Sequence, residues 1–429
     1  MKGVDRRRLR LPIALVAAVV AAEAAVFLLR PREGVIDPAP VSARSYFSPA
    51  QLDRARDFRR PQLALYGASL VVEGGLLLLL VRRPPSRLRG PFRRPVLAAA
   101  LAGAALSAGL TLATLPLGAV MRQRAVDVGL VTQSWGGWAV DVAKSMAIGG
   151  VLAGAGGAIF VGLQRRFPRH WWAPGSVAVV AIGAAFLYAG PVVLDPVFNR
   201  FTTLPPGRTR TQVLALAREA GVKVGQVYEV DASRRTTAAN AYVTGLGSTK
   251  RVVVYDNLLE HFSRDEVRLV VAHELGHVHY HDVPRGLLWL ALVAPFGVFA
   301  VQRLSERMAP GAAGTPTVLP AAVLSLALVA GGIGVVSNQL SRRVEARADT
   351  FSLRLTGAPE PFISFEKRIS VRNVSDPAPP GWLTFLLATH PPTVERIGAG
   401  VAFQRGERAV IRAWGASGPD PAPRTPEGS

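Results

Sequence analysis

Five residues near the middle of the chain, His273-Glu274-Leu275-Gly276-His277, form a pattern with a definite chemical use. On a helix each residue turns by about 100°, so two His four positions apart lie about 40° from one another on one face. Both imidazoles then reach one metal ion, and Glu274, just around the helix, reaches the water that such an ion holds. The chemistry is hydrolysis by an activated water with a carboxylate as general base. The preceding residues favour the helix: Ser263 and Glu266 have the spacing of a capping box, and Val267, Leu269, Val270 and Val271 follow.

A catalytic zinc of this kind takes three protein ligands and keeps one place for water. The chain has no Cys, so any zinc is held by His and carboxylates, and the redox compartment is left undecided. His281, four past His277, continues the same face. Glu345 and Asp349, at i and i+4 in Arg342-Arg343-Val344-Glu345-Ala346-Arg347-Ala348-Asp349, offer a ligand and a carboxylate that can orient a ligand His. The neighbouring Arg342, Arg343 and Arg347 also suit a solvated charged helix. Spacing alone leaves both third ligands open.

The elements around the motif must position it. Thr209 to Ala220 reads as an amphipathic helix, and Val227 to Val230 as a short strand. Ala239 to Thr244 and Arg251 to Tyr255 read as strands joined by a hairpin-like turn, Gly245-Leu246-Gly247-Ser248-Thr249. A small sheet packed on a metal-holding helix is the layout of zincin-type peptidases, whose edge strand can pair with an extended substrate.

The rest of the chain predicts a membrane. It is 49% hydrophobic and 18% charged, with a mean hydropathy of +0.27. Seven apolar stretches approach the roughly 20 residues needed to cross a bilayer. They run over Leu11–Leu29, Leu63–Val81, Pro95–Val120, Trp138–Leu163, Ala173–Leu194, Leu287–Val301 and Val318–Val336. The first is expected to be retained rather than cleaved as a signal peptide, because it is as long as a full span. The net charge of +21 gathers in Arg clusters at span ends, Arg6 to Arg8, Arg82-Arg83, Arg93-Arg94 and Arg165-Arg166. That placement suits anionic headgroups, and no nucleic-acid-binding motif accompanies it, so the expected partners are a lipid bilayer and a substrate, not nucleic acid. Glu23, Glu73, Asp141 and Lys144 lie inside predicted spans, where they must pair or face water.

Together these residues resemble the M48 metallopeptidases, specifically the Ste24-type CAAX prenyl protease branch. The resemblance rests on Pro196 to Leu204, Asn240-Ala241-Tyr242, Lys250 to Leu259, the His273–His277 motif, Glu345 to Asp349, and His390-Pro391-Pro392 followed by Glu395-Arg396-Ile397. It covers about residues 190 to 400 best; the earlier spans match only in number and hydropathy. The implied fold is a multi-pass α-helical membrane protein of about seven transmembrane helices, with an α+β zincin-type catalytic domain carrying a small sheet. The implied ligands of one Zn²⁺ per chain are His273, His277 and Glu345, with Glu274 as general base and Asp349 behind the ligands. His390 is implied as the donor that stabilises the tetrahedral oxyanion, and Asn240, Ala241, Tyr242 and Arg396 as substrate-facing residues.

The implied activity is endopeptidase cleavage of a peptide or protein substrate, lipidated in the family's named reaction, at a multi-pass site in the cell membrane. Degradation of damaged membrane proteins, as in the heat-shock branch, and an inactive scaffold are the alternatives; an intact Glu274 speaks against the scaffold. The expected segments are a membrane region at 1–195, a first catalytic segment at 196–283, a transmembrane hairpin at 284–340, a second catalytic segment at 341–412 and a disordered tail at 413–429. Arg-rich ends facing one side would make that side cytoplasmic and place the motif outside, against the family's topology, while the basic Arg30–Arg60 loop opposes this; the side stays open.

Overall fold

Apolar runs with no backbone partners outside themselves must close their own hydrogen bonds, and here they do so as long helices. The computed structural model describes residues 6–88, 92–244 and 250–406. In chain order come α1 (Arg6–Leu29), the short α2 (Ala43–Tyr46), α3 (Pro49–Arg82), α4 (Pro95–Asp127), α5 (Trp135–Arg166), α6 (Trp172–Val193) and α7 (Asp195–Phe198). The polar middle of the chain then gives β1 (Phe201–Thr203), α8 (Arg208–Glu219), β2 (Gln226–Val230), β3 (Ala241–Thr244), β4 (Arg251–Tyr255), α9 (Asp256–His261) and α10 (Arg264–His279). Two more long helices, α11 (Asp282–Met308) and α12 (Leu319–Thr356), lead to α13 (Pro359–Arg372), α14 (Gly381–Leu387) and α15 (Thr393–Gln404).

Seven helices among the described residues, α1, α3, α4, α5, α6, α11 and α12, are long and apolar enough to cross a membrane. They extend beyond the apolar runs that announce them: α3 begins at Pro49, behind a Ser48 capping box, rather than near Leu63. Large apolar side chains such as Val71, Val151 and Val177 point outward from them, as a lipid solvent permits. Between α4 and α5 small residues bring the backbones together. A Cβ on Gly103 would stand 2.5 Å from the Ala153 carbonyl oxygen, and one on Gly157 2.6 Å from that of Ala99. Close approach through small residues is how helices associate where burial of apolar area offers no drive. Asp141 and Lys144, two of the costly charges, are paired: Asp141 with Arg235 at 3.2 Å, and Lys144 Nζ donating to the Val197 carbonyl at 2.9 Å.

The four strands form one sheet in the order β1-β2-β4-β3, with β2 and β4 parallel and the outer pairs antiparallel. The expected hairpin pairing of β3 with β4 is present, Ala241 opposite Val254 and Thr244 opposite Arg251. β1 had no signal in the sequence beyond three residues after Arg200. The turn at 245–249 and the tail at 413–429 lie outside the described residues. Val252, Val254, Ala241 and Val227 from the sheet, Val213 and Leu216 from α8, and Val267, Val271 and Leu275 from α10 form the core beneath the motif helix.

The expected segment boundaries at 283/284 and 340/341 coincide with no break, because 284 lies within the first turn of α11 and 341 lies mid-helix in α12. α12 holds both an apolar membrane half and Glu345 and Asp349 in one rod of 38 residues, about 57 Å long at about 1.5 Å per residue. It stops at Gly357, whose φ of 61° ends the helix in the left-handed region.

The α4–α5 contact makes a prediction. Gly157→Val forces a side chain into the Ala99 carbonyl and should cost about 1–3 kcal/mol. Gly156→Val, which meets nothing within 4 Å, should be tolerated. Thermal unfolding of the two variants in detergent checks this; equal midpoints would contradict the packing.

Candidate metal and active site

α10 is fixed at its start by the expected capping box. Ser263 Oγ accepts from the Glu266 N–H at 3.3 Å, and Glu266 Oε2 accepts from the Ser263 N–H at 2.8 Å. Its far end docks on α12 where Gly276 meets Phe351: a Cβ on Gly276 would lie 3.1 Å from the ring. The unnamed glycine of the motif thus lets the two helices that bear the candidate ligands close on each other.

That approach brings three groups together. His273 Nε2 lies 3.2 Å from Glu345 Oε2, His277 Nε2 lies 3.6 Å from Glu345 Oε1, and the two Nε2 atoms are 3.2 Å apart. One ligand atom from each of His273, His277 and Glu345 falls within 4.8 Å of the others, so the three could hold a metal ion. His281 is not among them. It joins α10 to α11 in a left-handed conformation with φ of 56°, which turns the chain away from the face it would have continued.

The protons decide what this cluster can bind. His273 Nδ1 donates to Asp349 Oδ1 at 2.8 Å, and His277 Nδ1 to Asp282 Oδ2 at 3.0 Å. A neutral imidazole with its proton on Nδ1 presents a lone pair at Nε2. Two such nitrogens and a carboxylate then converge on one point, with the buried Glu345 Oε2 3.2 Å from the Nε2 atoms of both His273 and His390. A proton shared between His273 and Glu345, or a metal ion in its place, satisfies that arrangement. Burial pushes the His273 ring toward the neutral form, yet its hydrogen bonds to Asp349 and Glu345 outweigh this and hold its pKa well above the ordinary value. A metal would take the place of that second proton, and the donor set fits a divalent ion, two imidazoles and one carboxylate being a zinc-type combination.

Behind each imidazole the acid is itself held by an arginine. Arg396 on α15 grips Asp349 with Nε at 2.8 Å and Nη2 at 2.6 Å, and its Nη1 lies 3.0 Å from Glu366 Oε1. Arg347 donates to Asp282 and lies over the Tyr280 ring, 4.1 Å from its centre. Asp282, Arg347 and Glu366 escaped the sequence reading. For Asp282 a signal existed: an acid opening an apolar helix suits the positive helix end. Arg347 is buried rather than part of a solvated face, and Arg342 donates to the Thr384 and Ala388 carbonyls. Arg396, expected to face substrate, is turned inward to these two carboxylates, since the buried Asp349 and Glu366 need a counter-charge.

A cavity of about 110 Å³ adjoins the cluster, lined by Glu274, His273, His390, Asn240, Glu366 and Arg396 among others. Burial raises the Glu274 carboxyl above its usual range, the direction that suits a proton acceptor. His390, just before α15, is 60% exposed and places Nε2 3.2 Å from Glu345 Oε2. The Thr389 hydroxyl lies 3.0 Å from Nδ1, and when it donates there the ring proton sits on Nε2, facing the cluster. Of the three residues expected to meet substrate at β3, Asn240 lines the cavity, Ala241 is buried in the core, and the Tyr242 hydroxyl donates to Asp195 at 3.0 Å.

Burial pushes the Glu366 carboxyl up to about 7, the Arg396 charge offsetting only part of the cost. Unfolded, a Glu titrates near about 4.3, so the stability this group contributes is whole below that value and lost as pH rises through about 7. Metal-free protein is expected to lose up to about 3 kcal/mol relative to Glu366→Gln between about pH 5 and pH 8. Melting curves of both proteins at the two pH values test it; identical shifts would exclude a raised Glu366.

Comparison with known proteins agrees with this geometry. The model of peptidase family M48 matches residues 204–400. The chain is similar to the uncharacterized metalloprotease YhfN of Bacillus subtilis, 30% identical over 300 residues that cover 68% of this chain and 70% of that protein. It is also similar to a CAAX prenyl protease 1 homolog of Oryza sativa, 29% identical over 51% of this chain and 53% of that one. CAAX prenyl protease 1 of Saccharomyces cerevisiae is 34% identical over 33% of this chain and 31% of its own length. The chain thus spans about half or less of those two relatives. The crystal structure of S. mikatae Ste24p superimposes with a TM-score of 0.71 at 18% identity, over 92% of this chain and 99% of that one, and so shares the fold. With the metalloprotease relative matched over two thirds of its length and the Ste24p fold over nearly all of it, the chain belongs to peptidase family M48, as a metallopeptidase embedded in a membrane.

Proposed function

We propose that the protein is a zinc-dependent endopeptidase of the cell membrane, with His273, His277 and Glu345 as the metal ligands. The observation that carries this is the pair of Nε2 atoms facing each other and Glu345 at 3.2–3.6 Å, each ring fixed by a carboxylate on its far side. These three residues would hold a zinc ion, which would supply Lewis-acid chemistry for activating water and polarising a carbonyl.

The chain's own residues do the rest. Asp349 and Asp282 keep the two imidazoles in the tautomer that leaves Nε2 free. Glu274 accepts the proton of the attacking water and returns it to the leaving amine nitrogen, a role its raised pKa favours. His390 directs its Nε2 proton to the carbonyl oxygen as negative charge develops. Asn240 holds the substrate backbone, and the outer edge of β3, which pairs with β4 on its other side only, receives an extended peptide by strand addition. The names of the plant and yeast relatives favour a C-terminal peptide carrying a prenyl group as substrate.

Purified protein in detergent, with bound zinc quantified, tests the assignment. Glu274→Gln should keep zinc and lose at least about 100-fold in cleavage. Glu345→Ala should lose both. His390→Ala should lower kcat by about 10- to 1000-fold with zinc retained. Full zinc and activity in Glu345→Ala would remove it from the ligand set. Prenylated and unmodified peptides of one sequence, compared by kcat/KM, separate a lipid-reading enzyme from a general one; equal values would defeat the lipidated substrate.

A further inference from the structure

Glu366 has no place in the motif, yet its carboxylate is only 2% exposed and ends beside Arg396. Asp349 is equally buried, so two carboxylates share one guanidinium. Asp349 takes Nε and Nη2, and Glu366 takes Nη1 at 3.0 Å. Glu366 Oε1 makes no hydrogen bond among the described residues, so the Arg396 charge is its main compensation. Such a triad has one negative charge too many for a protein interior, where an unbalanced ion costs several kcal/mol. The missing positive charge belongs one step along: Asp349 Oδ1 accepts from His273, whose other nitrogen faces the cation site.

We propose that Glu366 is a positioning residue for the metal site: by drawing on Arg396 from the far side, it leaves Asp349 electron-rich toward His273 and makes the site more negative by one charge. Neutralise Glu366 and the Arg396 charge falls wholly on Asp349. Asp349 then accepts more weakly from His273 Nδ1, the Nε2 nitrogen becomes a poorer donor, and the site carries one negative charge fewer toward a dication. All three changes act in one direction. Removing a partner behind a metal ligand typically weakens metal binding by about 10- to 100-fold.

The inference rests on the metal-ligand reading above, and the experiment separates the two. Zinc affinity of the full chain in detergent is measured at about pH 8 by competition with a chelator for wild type, Glu366→Gln and Glu366→Asp. The visible spectrum of the cobalt-substituted forms reports the ligand field directly. Glu366→Gln is expected to bind zinc about tenfold or more weaker and to shift the cobalt spectrum, while Glu366→Asp, which keeps the charge, recovers most of the affinity. A merely structural residue would instead show weaker binding only in step with a lower metal-free melting point, and that result would overturn the proposal. So would a Glu366→Gln affinity within twofold of wild type. If Glu366→Gln does not fold, Glu366→Leu removes the same charge at similar volume and is read the same way. Wild type that binds neither zinc nor cobalt would overturn the ligand reading itself, and this inference with it.

Discussion

Everything in the catalytic half is arranged around a repulsion that the protein imposes on itself. Two imidazole nitrogens 3.2 Å apart and a buried carboxylate against them call for a positive charge between, either a proton on His273 or a metal ion. Holding them there takes a capped helix for the two His, a second helix for Glu345, and an acid behind each ring. The acids in turn are tied by Arg396 and Arg347, from α15 and α12. Packing serves the same end: a Gly276 without a side chain and Phe351 against it determine how near α10 and α12 can come. The fold is best understood as the frame that keeps like charges and lone pairs together until a cation joins them.

The membrane part follows different physics. Burial of apolar area cannot draw helices together in lipid, so contact depends on fit, and the fit of α4 to α5 depends on Gly103 and Gly157 lying against carbonyl oxygens. Two of the charges that enter this region are tied to the polar part, Asp141 to Arg235 and Lys144 to the backbone at Val197. They act as fasteners between the helical bundle and the sheet domain, and their cost in an apolar surrounding is lowered by pairing.

Much of this was legible from residue order. The capping box, the His pair and the β3 and β4 strands are local patterns, each written within a few residues, and local hydrogen-bonding rules read them. Seven spans were visible for a similar reason, since length and hydropathy suffice. What escaped was set by contacts across the chain. Asp282 matters because a left-handed His281 returns the chain toward His277; no periodicity announces that turn. Arg347 looked like one of three solvent-facing arginines, yet Asp282 of α11, the Tyr280 ring and the segment at Gly34 enclose it. Arg396 was assigned to the substrate by the resemblance alone, whereas its partners lie 47 and 30 residues earlier, where no local pattern shows them. The unbroken α12 hid behind a change of composition that suggests a boundary where the backbone has none.

That helix also orders events in time. Glu345 follows His277 by 68 residues, and the apolar lengths of α11 and α12 lie between them. A ribosome adding about 5–20 residues per second therefore needs several seconds after making the His pair before the third donor exists. Two further spans must also be inserted and paired before that donor can reach the others. Until then the half-made chain has two imidazoles on a helix and nothing to complete them. A protease assembled in this sequence lacks the full set of candidate metal donors until the last of its long apolar helices, α12, is in place.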